Sequence, residues 1–364
     1  MFRILTSLMI VAASFLVLSA SAVTVHSQGA DELAPLTEPG PYGVGLKLLD
    51  FVDEQREDWH LETYVWFPAD AEQGRPLNPN SPLRIGAIMD LSGVPYPLIV
   101  YSHGGGSYNT DLSHVAEQLA SQGYVVAAPQ HHDTQEAYNA REYVDRPLDI
   151  MLVMHELAAL TDGDLAGIID TDNVGLMGWS LGAVASFQML GLQSDPVHFE
   201  VWCAEHPEAI LDCEGSLLEE TASYRAQLGL QSMPDGTWEP FGDARIHAVL
   251  VFAPCFFPLT NEAMLAAVTT PTVILHGTVD QGCDYEGNAV RTYTHLGTED
   301  RYLITLVKGD HMIYYNQQPI PQHFATAFFG TYLKNDESYR PYLTPEGLPI
   351  SRFPGLVWGP YKAE

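Results

Sequence analysis

The sequence predicts an α/β fold with a mostly parallel central sheet and helices on both of its faces. Short apolar segments recur along the 364-residue chain, and segments with helical spacing of apolar residues separate them. The apolar segments are continuous rather than alternating in polarity, which is typical of strands buried on both faces. Repeated strand–helix units of this kind connect parallel strands.

The predicted strands are rich in β-branched and aromatic residues. In chain order they are residues 63–67, 97–102, 124–129, 174–178, 246–253, 272–276 and 302–307. The helices predicted between and after them are residues 111–122, 147–160, 181–190 and 322–333. Pro147 favours a first helical turn, where its missing backbone N–H is not needed, so we expect the second helix to begin there.

Residues 193–243 interrupt this alternation with charged residues, Pro, Gly and Trp, and they show no sustained strand pattern. We expect a lid-like insertion over the sheet, helical around residues 217–228. This insertion is either a surface segment without a functional role or a lid that shapes a substrate pocket.

The N-terminal segment has the features of a secretory signal peptide. Arg3 precedes the apolar run 4–18, and small residues follow at positions 19–22. A membrane anchor is the alternative, but the run is short for a span of about 20 residues. We therefore expect a signal peptide over 1–22, a leader over 23–41 and a single domain over 42–364. The expected location is secreted or periplasmic, without a stable membrane anchor.

The formal net charge of the chain is −30. This charge disfavours nucleic acid as a partner, because phosphates are repelled, and it disfavours a basic patch that would hold anionic lipid. The sequence has neither a glycine-rich nucleotide motif nor the H-E-x-x-H pattern of zinc hydrolases. We expect no cofactor and no metal.

Four cysteines are present, and their spacing does not fit a zinc site. In an exported protein two disulfides are expected. Cys203 and Cys213 lie in one irregular segment, whereas Cys255 and Cys283 each follow a predicted strand. We predict the pairs Cys203–Cys213 and Cys255–Cys283.

The strongest chemical signal is the pentapeptide at residues 178–182, G-W-S-L-G, which follows a predicted strand and opens a predicted helix. A serine on such a strand-to-helix turn is exposed at the edge of the sheet, at a helix N-terminus that favours developing negative charge. The glycines are required because neighbouring backbone comes close to the turn. Ser180 is therefore the predicted nucleophile.

A serine hydroxyl needs a base, and the base needs an orienting acid. When the nucleophile stands on this kind of turn, the acid and then the base follow it in the chain. Asp280 and His311 each lie just beyond a later predicted strand, in that order. They are the predicted acid and base, with Asp284 and Glu286 as rival acids.

A glycine-rich segment, residues 104–106, follows the predicted strand 97–102. Glycines allow backbone N–H groups to face a carbonyl oxygen closely. We predict an oxyanion hole made by the amides of Gly105 and Leu181, with Gly104 as the alternative to Gly105. His103 is interpreted as an anchor of this loop, and His131 with Asp133 as braces of the loops around the site.

These segments resemble the α/β-hydrolases over about residues 40–335, and within them the plasma-type platelet-activating factor acetylhydrolases and dienelactone-hydrolase-like esterases. The resemblance lies in residues 97–104 (PLIVYSHG), 123–129 (GYVVAAP), 145–150 (DRPLDI) and 170–175 (DTDNVG). It implies a secreted serine esterase that cleaves short or polar acyl esters, including small-molecule or lipid esters, without a cofactor. It also carries over Ser180, Asp280 and His311 as the triad.

Two departures concern the nucleophile. The acetylhydrolases usually have His before the serine, whereas Trp179 stands here and is similar to the G-W-S-M-G turn of bacterial cutinase-like polyester hydrolases. Dienelactone hydrolases use cysteine where this chain has Ser180. A polyester hydrolase is therefore an alternative, and a non-catalytic binding protein of the same fold is the alternative from another class.

Overall fold

The computed structural model describes residues 36–362 apart from 57–58, 80, 133–140, 206–216, 256–258, 317–318, 348–352 and 354. The predicted signal peptide and most of the predicted leader lie outside the described residues. In the part of the chain that is described, no helix combines the length and the apolar character needed to cross a bilayer.

Within the described residues, nine strands form the central sheet. They are β1 (Gly43–Asp53), β2 (Trp59–Ala69), β3 (Tyr96–Ser102), β4 (Val125–Pro129), β5 (Ile169–Trp179), β6 (Ile246–Phe252), β7 (Thr272–Gly277), β8 (Arg301–Leu306) and β9 (Leu356–Trp358). Their order across the sheet is β1-β2-β4-β3-β5-β6-β7-β8-β9. The strands from β4 to β8 in this order are parallel, and the others pair antiparallel at the two edges.

The helices connect these strands or lie in the insertion. They are α1 (Ser113–Ser121), α2 (Glu142–Ala159), α3 (Leu181–Gln188), α4 (Pro196–Glu205), α5 (Leu217–Gln227), α6 (Glu262–Ala266), α7 (Arg291–His295), α8 (Ile313–Asn316) and α9 (Pro319–Tyr332). A π-helical turn covers Tyr285–Val290, a 3₁₀ helix covers Glu337–Leu343, and Arg75–Pro76 pairs with Arg84–Ile85 in a separate hairpin.

Both faces of the sheet are buried. Along β3, Leu98 and Val100 belong to one buried apolar cluster, which includes side chains of α2 and α3. Ile99 and Tyr101 belong to the other, which includes side chains of α1 and α9. Successive strand residues point to opposite faces, so a continuous apolar run fills two cores at once. The predicted mostly parallel sheet with helices on both faces is confirmed.

Helix α2 begins at Glu142, five residues before the predicted start, so Pro147 lies inside it. Proline supplies no N–H to the carbonyl four residues earlier, which is that of Tyr143. The side-chain amide of Gln188 on α3 donates to this oxygen instead, at 3.0 Å. A contact between two helices thus replaces the hydrogen bond that Pro147 cannot make.

The described residues of the insertion form two helices, α4 and α5, of which only the second was predicted. Helix α5 reaches the first turn of α2, where Tyr224 Oη donates to Asp145 Oδ1 at 2.5 Å. The Arg141 guanidinium lies 4.7 Å from the Tyr224 ring centroid. The insertion therefore contacts the helix that lies beneath the glycine-rich loop.

Candidate active site

Ser180 occupies a sharp turn between β5 and α3. Its backbone has φ 53° and ψ −117°, a conformation that L-residues rarely adopt. A Cβ on Gly182 would overlap the carbonyl oxygen of Ser102, and a Cβ on Gly178 would overlap that of Gly182. Glycine is therefore required at both positions, and the strained turn raises a half-buried serine above the edge of the sheet.

Asp280 and His311 meet beyond β7 and β8. His311 Nδ1 donates to Asp280 Oδ2 at 2.8 Å, and the carboxylate is fully buried while the imidazole is 26% exposed. Asp280 Oδ1 accepts the backbone N–H groups of Gly282 at 2.8 Å and Cys283 at 2.9 Å. Burial by itself raises the pKa of Asp280, but the His311 bond and charge and the Cys283 N–H outweigh it and lower the pKa overall.

Backbone contacts join the two loops that carry this pair. Val279 N donates to Gly309 O at 3.0 Å, and Thr278 N donates to Leu306 O at 3.0 Å. A Cβ on Gly277 would overlap the Gly309 carbonyl, so only glycine allows this approach. Because β7 and β8 are parallel neighbours, their loops leave the sheet at the same end of the strands and bring Asp280 next to His311.

Trp179 connects this pair to the nucleophile turn. Its ring centroid lies 5.3 Å from that of His311 and 4.4 Å from that of Tyr314. Its Nε1 donates to the His311 carbonyl at 3.2 Å. The described part of the chain contains no hydrogen bond between the Ser180 hydroxyl and the His311 imidazole. Bonds of this type are often long before substrate binds and shorten in the complex.

The predicted oxyanion donors lie together. A Cβ on Gly105 would come within 3.6 Å of the Leu181 side chain. Leu181 is the first residue of α3, so its N–H has no partner inside the helix. Within the residues that are described, the N–H groups of Gly105, Leu181 and Gly104 donate no hydrogen bond. All three amides are available to an oxygen bound beside Ser180.

Within the described residues, neither rival acid makes a hydrogen bond or ion pair with His311. Asp284 is exposed, and its Oδ2 accepts the N–H of Gly287 at 2.5 Å, which caps the π-helical turn. Glu286 lies within that turn and is exposed. Asp280 is the carboxylate that His311 contacts.

A second histidine, His276 at the end of β7, faces the same carboxylate. Its Nε2 lies 3.7 Å from Asp280 Oδ2, and its Nδ1 bonds to the Gly277 carbonyl at 2.9 Å. Complete burial lowers the pKa of His276 more than the charge of Asp280 raises it. A neutral His276 does not form an ion pair with Asp280, so the negative charge of this carboxylate acts on His311.

A buried chain of polar groups lies beneath the glycine-rich loop; the sequence predicted His131 as a brace there, but not its partners. Ser102 Oγ and His131 Nε2 are 2.8 Å apart, His131 Nδ1 and Asp149 Oδ2 are 2.8 Å apart, and Arg56 Nη2 lies 2.8 Å from Asp149 Oδ1. This is a second Ser–His–Asp series, but Ser102 is fully buried and cannot reach substrate. Burial raises the pKa of Asp149 to about 6 despite the charge of Arg56.

The other predicted brace, Asp133, lies outside the described residues. The neighbouring His132 points away from His131: its ring stacks on Trp59 with centroids 4.1 Å apart, and its Nε2 bonds to the His60 carbonyl at 2.6 Å. His132 therefore packs at the start of β2.

Cys255 and Cys283 are paired in the structure, with Sγ atoms 1.99 Å apart. Cys213 lies outside the described residues, so the Cys203–Cys213 pair stays a prediction. Among the described residues, Asp280, Cys283 and His311 bring potential metal ligands within 4.8 Å of one another. A metal would need the Cys283 thiolate, which is tied to Cys255, and the His311 nitrogen that faces Asp280.

Comparison with known proteins finds similarity over part of the chain. The family model "Platelet-activating factor acetylhydrolase, isoform II" matches residues 71–147. The platelet-activating factor acetylhydrolase of Canis lupus familiaris is 48% identical over 58 residues, which are 16% of this chain and 12% of that protein. That of Cavia porcellus is 40% identical over 62 residues (17% and 13%), and that of Gallus gallus 49% over 41 residues (11% and 10%).

The chain thus aligns with between 10% and 13% of the length of these three relatives. The matched segment includes β3, α1, β4 and the glycine-rich loop, and it ends at Pro147 in α2, after Arg146. The predicted nucleophile, acid and base lie beyond it. The matched segment is similar to the platelet-activating factor acetylhydrolases, and the mostly parallel sheet with helices on both faces is consistent with the α/β-hydrolase fold.

Proposed function

We propose that this protein is a secreted serine carboxylic-ester hydrolase that acts on short or polar acyl esters, including lipid esters of the platelet-activating factor type. The observation that carries the proposal is the 2.8 Å bond from His311 Nδ1 to the buried Asp280 carboxylate, next to the strained turn of Ser180. An imidazole held in this way has its proton on Nδ1, so Nε2 is left to accept a proton.

In the first step, Ser180 Oγ attacks the acyl carbon while His311 Nε2 takes the hydroxyl proton. Asp280 stabilises the imidazolium that forms. The carbonyl oxygen becomes an oxyanion between the amides of Gly105 and Leu181, where each donor contributes about 2.7–4 kcal/mol to lowering the barrier. His311 then passes its proton to the departing alcohol, and the acyl group stays on Ser180.

In the second step, His311 removes a proton from water, and the resulting hydroxide attacks the acyl carbon. The same two amides hold the second oxyanion. Collapse of the intermediate releases the carboxylic acid, and the proton returns from His311 to Ser180 Oγ. Every step uses side chains and amides of this chain, so the reaction needs no cofactor.

The test replaces the nucleophile. Ser180→Ala should abolish hydrolysis of p-nitrophenyl acetate and leave the thermal unfolding midpoint close to that of the wild type, because the hydroxyl makes no hydrogen bond within the described part of the chain. Ser186→Ala is the matched control, since it removes a hydroxyl from α3, the helix that follows Ser180. The Ser186 hydroxyl donates to the Gly182 carbonyl. Ser180→Ala with wild-type turnover contradicts the proposal.

A fluorophosphonate probe separates an enzyme from a non-catalytic binding protein of this fold. The enzyme should become labelled at Ser180, and the variant Ser180→Ala should stay unlabelled. If the wild type is not labelled, the result supports the alternative that this chain is a non-catalytic binding protein. N-terminal sequencing of exported protein tests the accompanying proposal that residues 1–22 are a cleaved signal peptide.

Polyester hydrolysis is the second candidate, because Trp179 precedes the nucleophile and packs against His311. A series of p-nitrophenyl esters of increasing acyl length, an acetylated phospholipid and a polyester film distinguish the substrates. Preference for the acetylated phospholipid supports the first candidate. Release of soluble products from the film at a comparable rate supports the second.

A further inference from the structure

One buried arginine holds the backbone of the glycine-rich loop. Arg146 on α2 donates through Nη1 to the His103 carbonyl, and through Nη2 to the Gly104 carbonyl at 3.1 Å. Its side chain is 1% exposed, and Glu142 one turn earlier on α2 lies 3.5 Å from its Nε. A planar guanidinium can hold two adjacent carbonyls at a fixed spacing, which a lysine ammonium does less well.

The Gly104 carbonyl also accepts a hydrogen bond from His103 Nδ1 at 2.8 Å. The proton position on this imidazole is set from the other side, because His131 N and Gln130 Nε2 both donate to His103 Nε2 at 3.1 Å. His103 Nε2 is therefore an acceptor, and Nδ1 carries the proton. Arg146 and His103 together direct the Gly104 oxygen into the protein.

The direction of this carbonyl determines the direction of the next amide. The C=O and N–H of one trans peptide are antiparallel, so a Gly104 oxygen held by buried groups turns the Gly105 N–H outward. Gly105 is exposed and lies beside Leu181, the other predicted donor. The same contacts thus place one donor of the oxyanion hole before substrate arrives.

We propose that Arg146 is a positioning residue for the oxyanion hole: it holds the peptide between Gly104 and Gly105 so that the Gly105 N–H faces the reacting carbonyl oxygen. This inference rests on the proposed ester hydrolysis. Pre-organised donors of this kind act mainly on the transition state, so their loss lowers kcat and leaves substrate binding nearly unchanged.

Arg146→Lys tests the proposal, with Arg301→Lys as the matched control. Arg301 Nη1 also donates to two carbonyls, those of Leu296 and Thr298. Arg301 is the first residue of β8, so these contacts lie at the opposite end of the parallel strands from the proposed active site. In Arg146→Lys we expect kcat for p-nitrophenyl acetate to fall by about 10²-fold, approaching the loss of one donor, with KM nearly unchanged. Affinity for phenylboronic acid, which forms a tetrahedral adduct with serine, should fall with kcat.

Arg301→Lys should keep the wild-type kcat, KM and boronic acid affinity. An Arg146→Lys enzyme that folds and keeps the wild-type kcat and boronic acid affinity overturns the proposal, even though the wild type hydrolyses esters. A wild type that hydrolyses no ester and reacts with no fluorophosphonate instead overturns the proposed function.

A second measurement uses the wild type and does not depend on the folding of a variant. In a crystal structure of the phosphonylated protein, the phosphonyl oxygen should lie about 2.7–3.1 Å from Gly105 N, with both Arg146 contacts kept. An oxygen bound by Gly104 N, or a peptide turned so that the Gly104 carbonyl leaves Arg146, contradicts the proposal. The orientation of this peptide can be read with or without activity.

Discussion

Asp280→Asn is the sharpest perturbation of the proposed triad, because both carboxylate oxygens have defined partners. Oδ1 accepts two backbone N–H groups, from Gly282 and Cys283, and Oδ2 accepts the His311 Nδ1 proton. Asparagine has one oxygen. If that oxygen takes the Oδ1 position, the NH₂ group faces His311, which must then accept at Nδ1 and carry its proton on Nε2. An imidazole in this tautomer cannot take the proton of Ser180.

The opposite orientation of the asparagine amide would place NH₂ against the two backbone donors. Two unsatisfied N–H groups cost about 1–3 kcal/mol each, so the inactive tautomer is favoured by about 2–6 kcal/mol. At 1.36 kcal/mol per tenfold change, the active population falls by about 30-fold to 3 × 10⁴-fold. Loss of the negative charge that stabilises the imidazolium adds to this, and we expect kcat to fall by about 10³- to 10⁴-fold.

Steady-state hydrolysis of p-nitrophenyl acetate measures this loss, and thermal unfolding checks that the variant is folded. Asp284→Asn is the matched control, because Asp284 is exposed, lies four residues further along the same loop and does not contact His311. It should keep the wild-type kcat. A folded Asp280→Asn enzyme within about tenfold of the wild-type kcat refutes the assignment of the acid and the tautomer argument with it.

Two further predictions concern stability. Burial lowers the pKa of His323 to about 4, and Leu36 N donates to its Nδ1 at 3.0 Å. Between about pH 6.5 and 4 the unfolded chain therefore binds a proton that the folded chain does not. The free energy of unfolding should decrease by up to about 3 kcal/mol as the pH is lowered through this range. In urea unfolding, His323→Gln should reduce the slope of the free energy of unfolding against pH in this range. The same slope for variant and wild type contradicts the prediction. Replacing Cys255 and Cys283 together by Ser opens a link between positions separated by 28 residues. The free energy of unfolding should fall by roughly 3–4 kcal/mol, and equal urea midpoints for variant and wild type contradict a disulfide in the folded protein.

The strands that build the sheet could be predicted because each is a local pattern. A strand buried on both faces must be apolar throughout, and residues 97–102 and 246–253 show this directly. The edge strand Gly43–Asp53 was not predicted, since it is partly exposed and its polar and apolar residues follow no clean alternation. The start of α2 was misplaced because the hydrogen bond that compensates for Pro147 comes from Gln188, on another helix.

The support of the glycine-rich loop could not be predicted in the same way. Arg146 and Asp149 lie in a helical segment whose charged residues look like a solvated face, and Arg56 lies far away in the chain. Their burial arises only when α2 packs beneath the loop and β2 pairs with β4. The available signals were a charge inside an amphipathic segment, close to a proline, and the family resemblance of residues 145–150.

The sequence by itself determined the chain order of strands β2 to β8, the glycine-bounded serine turn, and the positions of the proposed acid and base just beyond β7 and β8. These features depend on local hydrophobic pattern and on glycine sterics, which a linear sequence contains. Tertiary structure alone decided that His311 bonds Asp280 rather than Asp284, and that Arg146 faces two carbonyls. Those outcomes depend on distances between segments far apart in the chain, and on the removal of charged groups from water when the two faces of the sheet are covered.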